Sequence, residues 1–294
     1  MNKKLLFVFA IALSVACNNK EEKTTTNTEP DNSPALINYS VVNAFPHDTS
    51  SFTEGFLFHD GQLFESTGYD SGMPENRASR FGVVDLKTGK IQTKVEIDKK
   101  KYFGEGIVFL NNKVYQLTWK SKIGFIYDAT TFKKIGEFTF PSNEGWGMTT
   151  DGTYLIMSDG TSNISYFDPA SSTPVAVEVH YNNDDSDMKT LNSFRLVKIV
   201  GVTDNNGPVA DINELEIING FIYANQYRTN YILKIDPASG KVVGKLDFTT
   251  LDSEAKNKYP ESAEMNGIAY DSVAKKIYVT GKLWPNIYEV RFSY

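Results

Sequence analysis

Residues 102–109 read YFGEGIVF, in which a glutamate flanked by two glycines opens an apolar, strand-like run. Four other segments open in a similar way, with a polar or aromatic residue where a buried strand should be apolar: TEGFLF (53–58), GWGMTT (145–150), NELEII (213–218) and NGIAYD (266–271). Short aromatic and β-branched runs follow them, separated by turn pairs such as DG, NN, NG and SG. This pattern is typical of consecutive β-strands and predicts an all-β protein with five repeats.

The spacing of these openings predicts the architecture. We take one residue in each opening as equivalent: Glu54, Glu105, Trp146, Glu214 and Asn266. They are separated by 51, 41, 68 and 52 residues, which suits repeats of four strands with loops of variable length. Radial repetition of four-stranded units is a β-propeller, so we expect five blades within residues 36–294. The longest interval contains VHYNNDDSDMKTLNSF (179–194), interpreted as a loop, and LDSEAKNKY (251–259) predicts a short helix.

The first residues have the organisation of an export signal. Lys3 and Lys4 precede an apolar run that ends at small residues and at Cys17, the only cysteine. This run is too short to span a bilayer as a mature helix. We interpret residues 1–16 as a signal peptide and Cys17 as the lipid-modified cysteine of a bacterial lipoprotein. The alternative is an ordinary cleaved signal that leaves a free thiol.

The segment after Cys17 is polar, and residues 17–35 therefore predict a disordered tether that cannot bury enough apolar surface to fold. An exported, lipid-anchored protein would lie in the cell envelope, on the periplasmic or the cell-surface side. The formal net charge is −6, and cleavage after residue 16 would remove two lysines and no acid. Such an acidic chain argues against a nucleic-acid partner. No pattern in the sequence indicates an oligomer, so we expect a monomer.

The propeller architecture gives Glu105 a special position. The innermost strand of every blade runs along a central channel, so the five openings converge on one axis. Glu105 is then expected to point into a shared, partly enclosed cavity, with Gly104 and Gly106 leaving space around it. The alternative is a tight Gly-Glu-Gly bulge whose acid faces water. Because all five openings carry unusual residues, we favour a functional site.

Several longer strings occur in order along the chain: FTEG (52–55), FESTG (64–68), YFGEG (102–106), SDGT (158–161) and VTGKLWP (279–285). With them the chain resembles the glutaminyl cyclases of plants and bacteria, the five-bladed β-propeller type. The resemblance runs from Phe52 to the C-terminus and leaves out the signal and the tether. It implies an enzyme that converts an N-terminal glutamine of a peptide or protein into pyroglutamate and releases ammonia.

The resemblance also implies roles for individual residues. Glu105 corresponds to the family's catalytic glutamate, which takes a proton from the α-amine and gives one to the departing ammonia. Asn213 and Lys282 correspond to residues that donate to the carbonyl oxygen as negative charge develops. Phe52 and Trp146 correspond to aromatic walls around the glutamine side chain.

Two positions depart from the family pattern. Glu54 stands where relatives carry Gln, and Tyr227 stands where they carry Trp. A second carboxylate near Glu105 is expected to raise one of the two pKa values by like-charge repulsion. It is also expected to hold the substrate ammonium more firmly. Tyr227 keeps an aromatic face, so we expect binding to change more than chemistry, and the sequence does not decide whether the two departures alter substrate preference.

No metal or other cofactor is expected. His47, His59 and His180 are scattered without the spacing of metal ligands, and we interpret each as a surface or loop histidine. Two other functions remain open. One is a non-catalytic, lipid-tethered binding module, and the other is a metal-dependent propeller lactonase. The lactonase would hold a hard cation such as Ca²⁺ on axial residues, here Glu54, Glu214 and Asn266.

Overall fold

The structure is a computed structural model that describes residues 33–294. The predicted signal peptide (1–16), Cys17 and most of the predicted tether lie outside the described residues. Within residues 33–294, no helix is long and apolar enough to cross a membrane.

The first half of the described chain forms two initial strands and two complete blades. The initial strands are β1 (Ala35–Leu36) and β2 (Tyr39–Pro46). Blade 1 consists of β3 (Thr53–His59), β4 (Gln62–Thr67), β5 (Arg80–Asp85) and β6 (Lys90–Glu96). Blade 2 consists of β7 (Gly104–Leu110), β8 (Lys113–Thr118), β9 (Ile123–Asp128) and β10 (Lys134–Thr139).

The second half forms three further blades. Blade 3 consists of β11 (Met148–Thr150), β12 (Leu155–Ser158), β13 (Asn163–His180) and β14 (Ser186–Gly201). A small ribbon follows, made of β15 (Thr203–Asp204) and β16 (Gly207–Pro208). Blade 4 consists of β17 (Ile212–Ile218), β18 (Phe221–Gln226), β19 (Tyr231–Ile235) and β20 (Val242–Asp247). The helix α1 (Thr249–Lys258) follows blade 4. The fifth repeat then supplies three strands of blade 5: β21 (Met265–Asp271), β22 (Lys276–Gly281) and β23 (Asn286–Phe292).

The N-terminal strands complete the last two blades. Blade 5 has three strands from its own repeat, and β2 pairs antiparallel with β23 as the fourth. Strand β1 adds to the outer edge of blade 4 by parallel pairing with β20. The closing strand therefore ties the beginning of the domain to its end.

The five inner strands form a closed ring in which each contacts its two neighbours, in the order β3, β7, β11, β17 and β21. The predicted five-bladed, all-β propeller is thereby confirmed, and the predicted short helix corresponds to α1. Because every blade is covered on both faces, the core is divided among the blade interfaces. Each of the five interfaces contains one buried apolar cluster. The cluster between blades 5 and 1, for example, includes the fully buried Phe56 and Ile287.

The interpretation of residues 179–194 as a loop is wrong. They lie in a long hairpin, in which β13 and β14 pair from Asn163 opposite Gly201 to His180 opposite Ser186. The end of β13, VAVEVH (175–180), is rich in valine as a strand is, and only residues 181–185 form the turn. Strand β14 also pairs in parallel with β10, so the hairpin is joined to the outer strand of blade 2.

Candidate active site

A cavity of about 180 Å³ lies at the end of the channel where the inner strands begin. All seven predicted site residues line it: Phe52, Glu54, Glu105, Trp146, Asn213, Tyr227 and Lys282. Four residues that were not predicted line it as well: Asp70, Met73, Phe103 and Trp119. The structure thus brings the predicted set together, while the role of each member stays a prediction.

Irregular strand pairing places polar side chains in this cavity. Four inner strands have a register irregularity near their first residues, between Thr53 and Gly55, Gly104 and Ile107, Ile212 and Leu215, and Met265 and Ile268. Such a bulge takes a residue out of regular pairing and redirects its side chain. Glu105 therefore does lie in a bulge, as the alternative interpretation held. It does not face water, however, because only 4% of the residue is exposed.

The backbone around Glu105 is fixed by hydrogen bonds to β4 and to the segment that leads into β11. The Ser66 hydroxyl in β4 donates to the carbonyl oxygen of Glu105 at 2.6 Å, and Gly106 N donates to the carbonyl oxygen of Trp146 at 2.9 Å. A Cβ added to Gly106 would lie 2.6 Å from the nitrogen of Met148. Only glycine therefore allows β7 and β11 to approach this closely. The two strands hold Glu105 in place relative to Trp146.

The alignment of Glu214 with the other opening residues is wrong by one position. Asn213, not Glu214, lines the cavity beside Glu54 and Glu105. Glu214 occupies the position held by Gly55, Gly106, Gly147 and Gly267 in the other repeats. Its carboxylate accepts hydrogen bonds from Phe56 N at 3.2 Å and Ile268 N at 2.9 Å, so it joins blade 4 to blades 1 and 5. Burial raises the pKa of Glu214 well above its ordinary value, with a further contribution from Glu216.

Lys282 and Glu54 form a buried ion pair in the cavity wall. Nζ of Lys282 donates to Oε1 of Glu54 at 2.7 Å, and the two side chains are 6% and 3% exposed. Nδ2 of Asn266 donates to Oε2 of Glu54 at 3.2 Å, so both carboxylate oxygens have a donor. The ammonium also lies 4.5 Å from the centre of the Phe52 ring. Burial alone would lower the pKa of Lys282, but Glu54 and then Glu105 raise it above its ordinary value, so the lysine stays charged.

Glu105 has a different environment from Glu54. Among the described residues, no hydrogen-bond partner reaches its buried Oε2. Burial, and then the charge of Glu54, raise the pKa of Glu105 well above its ordinary value, and Lys282 opposes them only in part. Burial also raises the pKa of Glu54, to about 7, against the effect of Lys282. Because Lys282 bonds directly to Glu54, it stabilises the charged form of Glu54 more than that of Glu105.

Aromatic rings form the sides of the cavity. Trp146 and Tyr227 meet edge to face, with ring centres 5.4 Å apart and an interplanar angle of 83°. The ring of Phe52 lies 6.1 Å from that of Phe103, also edge to face. Trp146 therefore packs against another ring of the cavity wall. In addition to Tyr227, its ring lies so close to Gly160 that a Cβ there would be 2.5 Å from it.

The four additional lining residues differ in how far the sequence could have revealed them. Phe103 lies within the opening stretch YFGEGIVF (102–109), and Trp119 directly follows β8, so both lie in or beside strands that the sequence predicts. Asp70 and Met73 belong to the loop between β4 and β5. No local pattern in that loop indicates that it reaches the cavity.

The three histidines do not form a site together. The interpretation of His47 as a surface or loop histidine is wrong, because the residue is only 6% exposed. Its Nδ1 lies 2.8 Å from the carbonyl oxygen of Trp284, and its Nε2 lies 3.0 Å from Oε1 of Glu65. Burial would lower the pKa of His47, but Glu65 raises it above its ordinary value. His59 stacks on Phe109 with ring centres 3.9 Å apart.

The residues considered for a lactonase cation do not fit one. Glu214 accepts two backbone N–H groups, and Glu54 accepts from an ammonium and an amide group. Donors of this kind take the oxygen positions that a hard cation would need. Within residues 33–294 there is no group of three or more His, Cys, Asp or Glu side chains placed to hold a metal ion. The structure therefore does not support a cation on Glu54, Glu214 and Asn266.

Comparison with known proteins assigns the family. The sequence model of the glutamine cyclotransferase family matches residues 8–199 and 192–292. A glutaminyl-peptide cyclotransferase of Arabidopsis thaliana is 34% identical over 265 residues, which cover 90% of this chain and 74% of the relative. The crystal structure of Myxococcus xanthus glutaminyl cyclase superposes with a TM-score of 0.71 at 31% identity, covering 88% of this chain and 98% of the other. The propeller, the cavity and these matches show that the chain belongs to the glutamine cyclotransferase family.

Proposed function

We propose that the cavity binds the N-terminal glutamine of a peptide or protein and converts it to pyroglutamate with release of ammonia. One observation carries this function: Glu105 is a buried carboxyl group with a raised pKa and a free Oε2, beside the Lys282–Glu54 ion pair. Family membership supports the same reaction, since the Arabidopsis relative is a glutaminyl-peptide cyclotransferase.

The reaction needs one proton to be moved between two nitrogen atoms. The α-amine nitrogen attacks the carboxamide carbon of its own side chain, so that a new C–N bond forms and the bond to the amide nitrogen breaks. The attacking nitrogen loses one proton, and the leaving nitrogen gains one and departs as ammonia. Because one residue supplies both nucleophile and electrophile, the substrate itself provides most of the proximity. The enzyme has to hold the folded rotamer, move the proton and stabilise the oxyanion.

Glu105 is the group that moves this proton. Burial and the charge of Glu54 raise the pKa of Glu105, which reduces its difference from the higher pKa of a peptide α-amine. A smaller pKa difference lowers the free-energy cost of passing a proton between the amine and the carboxyl group, which favours general acid–base catalysis. The free Oε2 of Glu105 is the acceptor for the amine proton. The same oxygen returns the proton to the leaving nitrogen.

Asn213 and Lys282 stabilise the negative charge that develops on the carbonyl oxygen. Lys282 is charged, and Asn213 lines the same cavity. The Nδ2 group of Asn213 is the donor to the carbonyl oxygen, whereas its Oδ1, which has no hydrogen-bond partner among the described residues, is an acceptor. Donors held in a buried site stabilise an oxyanion more strongly than donors in water. Because Glu54 already neutralises part of the Lys282 charge, the lysine acts here as a paired cation.

The aromatic rings bind the apolar part of the substrate. Phe52, Trp146 and Tyr227 line the cavity and pack against the methylene groups of the glutamine side chain. Tyr227 stands where relatives carry Trp. It changes the shape of the cavity wall but keeps the wall aromatic. We propose that the monomer is the active unit, because the five inner strands of a single chain close the ring around the channel.

We further propose that the enzyme is an exported lipoprotein, anchored to a membrane of the cell envelope through Cys17. The support is the N-terminal sequence alone, in which Lys3, Lys4 and an apolar run precede the single cysteine. Cys17→Ser should move the enzyme from the membrane fraction to the soluble fraction. If the variant stays in the membrane fraction, Cys17 is not the anchor.

The direct test of the reaction compares peptides that differ only in their first residue. Ammonia release and a pyroglutamyl product are expected from a peptide that begins with Gln, and neither is expected from the same peptide with an acetylated N-terminus, which lacks a free amine. A non-catalytic binding module would release no ammonia from either peptide. That result, obtained with folded protein, would contradict the proposed function.

A further inference from the structure

Two tryptophans that line the cavity share one hydrogen-bond acceptor. Nε1 of Trp119 donates to Oε2 of Glu144 at 2.7 Å, and Nε1 of Trp146 donates to the same oxygen at 2.8 Å. Trp119 follows β8 in blade 2, and Trp146 precedes β11 in blade 3. A carboxylate oxygen can accept two hydrogen bonds. A single atom therefore joins the walls that two blades contribute to the cavity.

The backbone next to Glu144 brings it to this position. Gly145 N donates to the carbonyl oxygen of Trp119 at 2.9 Å. A Cβ on Gly145 would lie 2.9 Å from the carbonyl oxygen of Thr118, so glycine allows the turn to approach the end of β8. These contacts fix the main chain at both tryptophans and leave the orientation of their rings to side-chain contacts.

The faces of the two rings have other contacts: Nζ of Lys120 lies 3.7 Å from the centre of the Trp119 ring, and the Trp146 ring packs against Gly160. The Trp119 ring lies 5.6 Å from the Phe103 ring, and Trp146 meets Tyr227 edge to face. Trp119 and Trp146 are each half-buried, and an indole N–H in such a position normally has a hydrogen-bond partner. Glu144 supplies that partner for both.

The shared acceptor also decides what the walls offer to a ligand. Because both N–H groups point to Glu144, the indoles present ring faces and carbon edges to the cavity. Direct polar recognition is then left to other lining residues: Glu105, Asn213 and Lys282. Such walls suit the methylene groups of a folded glutamine side chain.

We propose that Glu144 is a positioning residue that holds Trp119 and Trp146 at the separation required to grip the substrate side chain. The proposal rests on the proposed function and adds to it a residue that acts through the two indoles rather than on the reacting atoms. It implies that Glu144 governs substrate binding far more than proton transfer.

Glu144 has a second, electrostatic effect that a test must separate from the first. Its charge contributes to the raised pKa of Glu105, after burial and the charge of Glu54. Glu144→Gln removes the charge but keeps an oxygen that accepts from both indoles, whereas Glu144→Ala removes both. The adjacent Asn143 is exposed and provides a matched control, Asn143→Ala, in the same turn.

The experiment measures kcat and KM for a Gln-initiated peptide in the full-length wild type and these three variants, together with tryptophan fluorescence. For Glu144→Ala we expect a KM increase of about tenfold or more with kcat changed less than about threefold. For Glu144→Gln we expect a KM close to wild type and a lower pH for the acid limb of kcat/KM. Because the chain has 3 tryptophans, two of them at Glu144, Glu144→Ala should also shift the emission spectrum and increase quenching by acrylamide.

The results for the Ala and Gln variants support or overturn the positioning role of Glu144. Unchanged KM and unchanged fluorescence in Glu144→Ala would overturn it, and so would equal losses in the Ala and Gln variants. If Glu144→Ala fails to fold, Glu144→Leu replaces it, because leucine keeps most of the side-chain volume but has no acceptor: a KM increase in Glu144→Leu that Glu144→Gln lacks supports the proposal, and a wild-type KM in Glu144→Leu overturns it. If the wild type releases no ammonia, the proposed function fails, and the fluorescence of Glu144→Ala still shows whether Glu144 holds the indoles.

Discussion

Replacing Glu54 by Gln tests how the second carboxylate controls the site. In the wild type, Glu54 accepts from Nζ of Lys282 at 2.7 Å and its charge raises the pKa of Glu105. Glu54→Gln keeps an oxygen for Lys282 but removes the charge. Glu105 then loses a neighbouring negative charge and lies beside a lysine that is no longer neutralised. Both changes lower the pKa of Glu105.

The expected size follows from Coulomb's law. Glu54 and Glu105 line the same cavity of about 180 Å³. At an effective dielectric constant of about 20, charges about 6 to 10 Å apart interact by about 2 to 3 kcal/mol. An energy of this size changes the pKa of Glu105 by about one to two pH units. The acid limb of the pH profile of kcat/KM reports the free enzyme, so it should move to lower pH by that amount.

The assay is ammonia release from a Gln-initiated peptide at saturating and limiting concentrations across the pH range. Glu178→Gln serves as the control, because Glu178 is an acid with a side chain 54% exposed that does not line the cavity. Its acid limb should stay at the wild-type pH. An unchanged acid limb in Glu54→Gln would refute the reasoning that Glu54 raises the pKa of Glu105.

Three other predictions follow from the same contacts. Lys282→Met should lower kcat by about 10²–10³ because it removes an oxyanion donor, and a kcat within a few fold of wild type would exclude Lys282 from that role. Ammonia release should survive dialysis against EDTA, since the proposed steps use side chains alone, and loss that Ca²⁺ or Zn²⁺ restores would show a metal requirement. His47 has a raised pKa in the folded state, so its ion pair with Glu65 stabilises the fold below the unfolded pKa, about 6.5, and this contribution is lost as the pH rises through the folded value. Urea unfolding should therefore show a larger difference between wild type and His47→Gln at pH 5.5 than at pH 9, and equal differences would contradict the assignment.

The sequence predicts the propeller well because its signals are local and repeated. Each inner strand begins with a recognisable opening, and turn pairs mark the strands behind it. The long hairpin was not predicted because the charged residues around Asp184 and Asp185 interrupt the apolar pattern at its turn, and because its pairing with β10 joins parts of the chain that are distant in sequence. Pairing between strands that are far apart in the sequence, such as β2 with β23, is set by closure of the ring and has no local sequence pattern.

The candidate site was predicted less completely than the fold, for two physical reasons. The position of Glu214 was misplaced by one residue because a bulge changes which side chain faces the cavity, and a bulge is a property of strand pairing. The partners of buried charges also come from distant repeats, as Lys282 and Glu54 do. Residues of the β4–β5 loop such as Asp70 reach the cavity only through the course of that loop in space.

The most direct test of the central claim is the turnover number of Glu105→Gln for a Gln-initiated peptide, measured by ammonia release beside the wild type. The variant keeps the size of the side chain but can neither accept the amine proton nor return it. We predict that kcat falls by about 10²–10⁴ while the thermal unfolding temperature changes little. Turnover close to that of the wild type would contradict the assignment of Glu105 as the group that moves the proton.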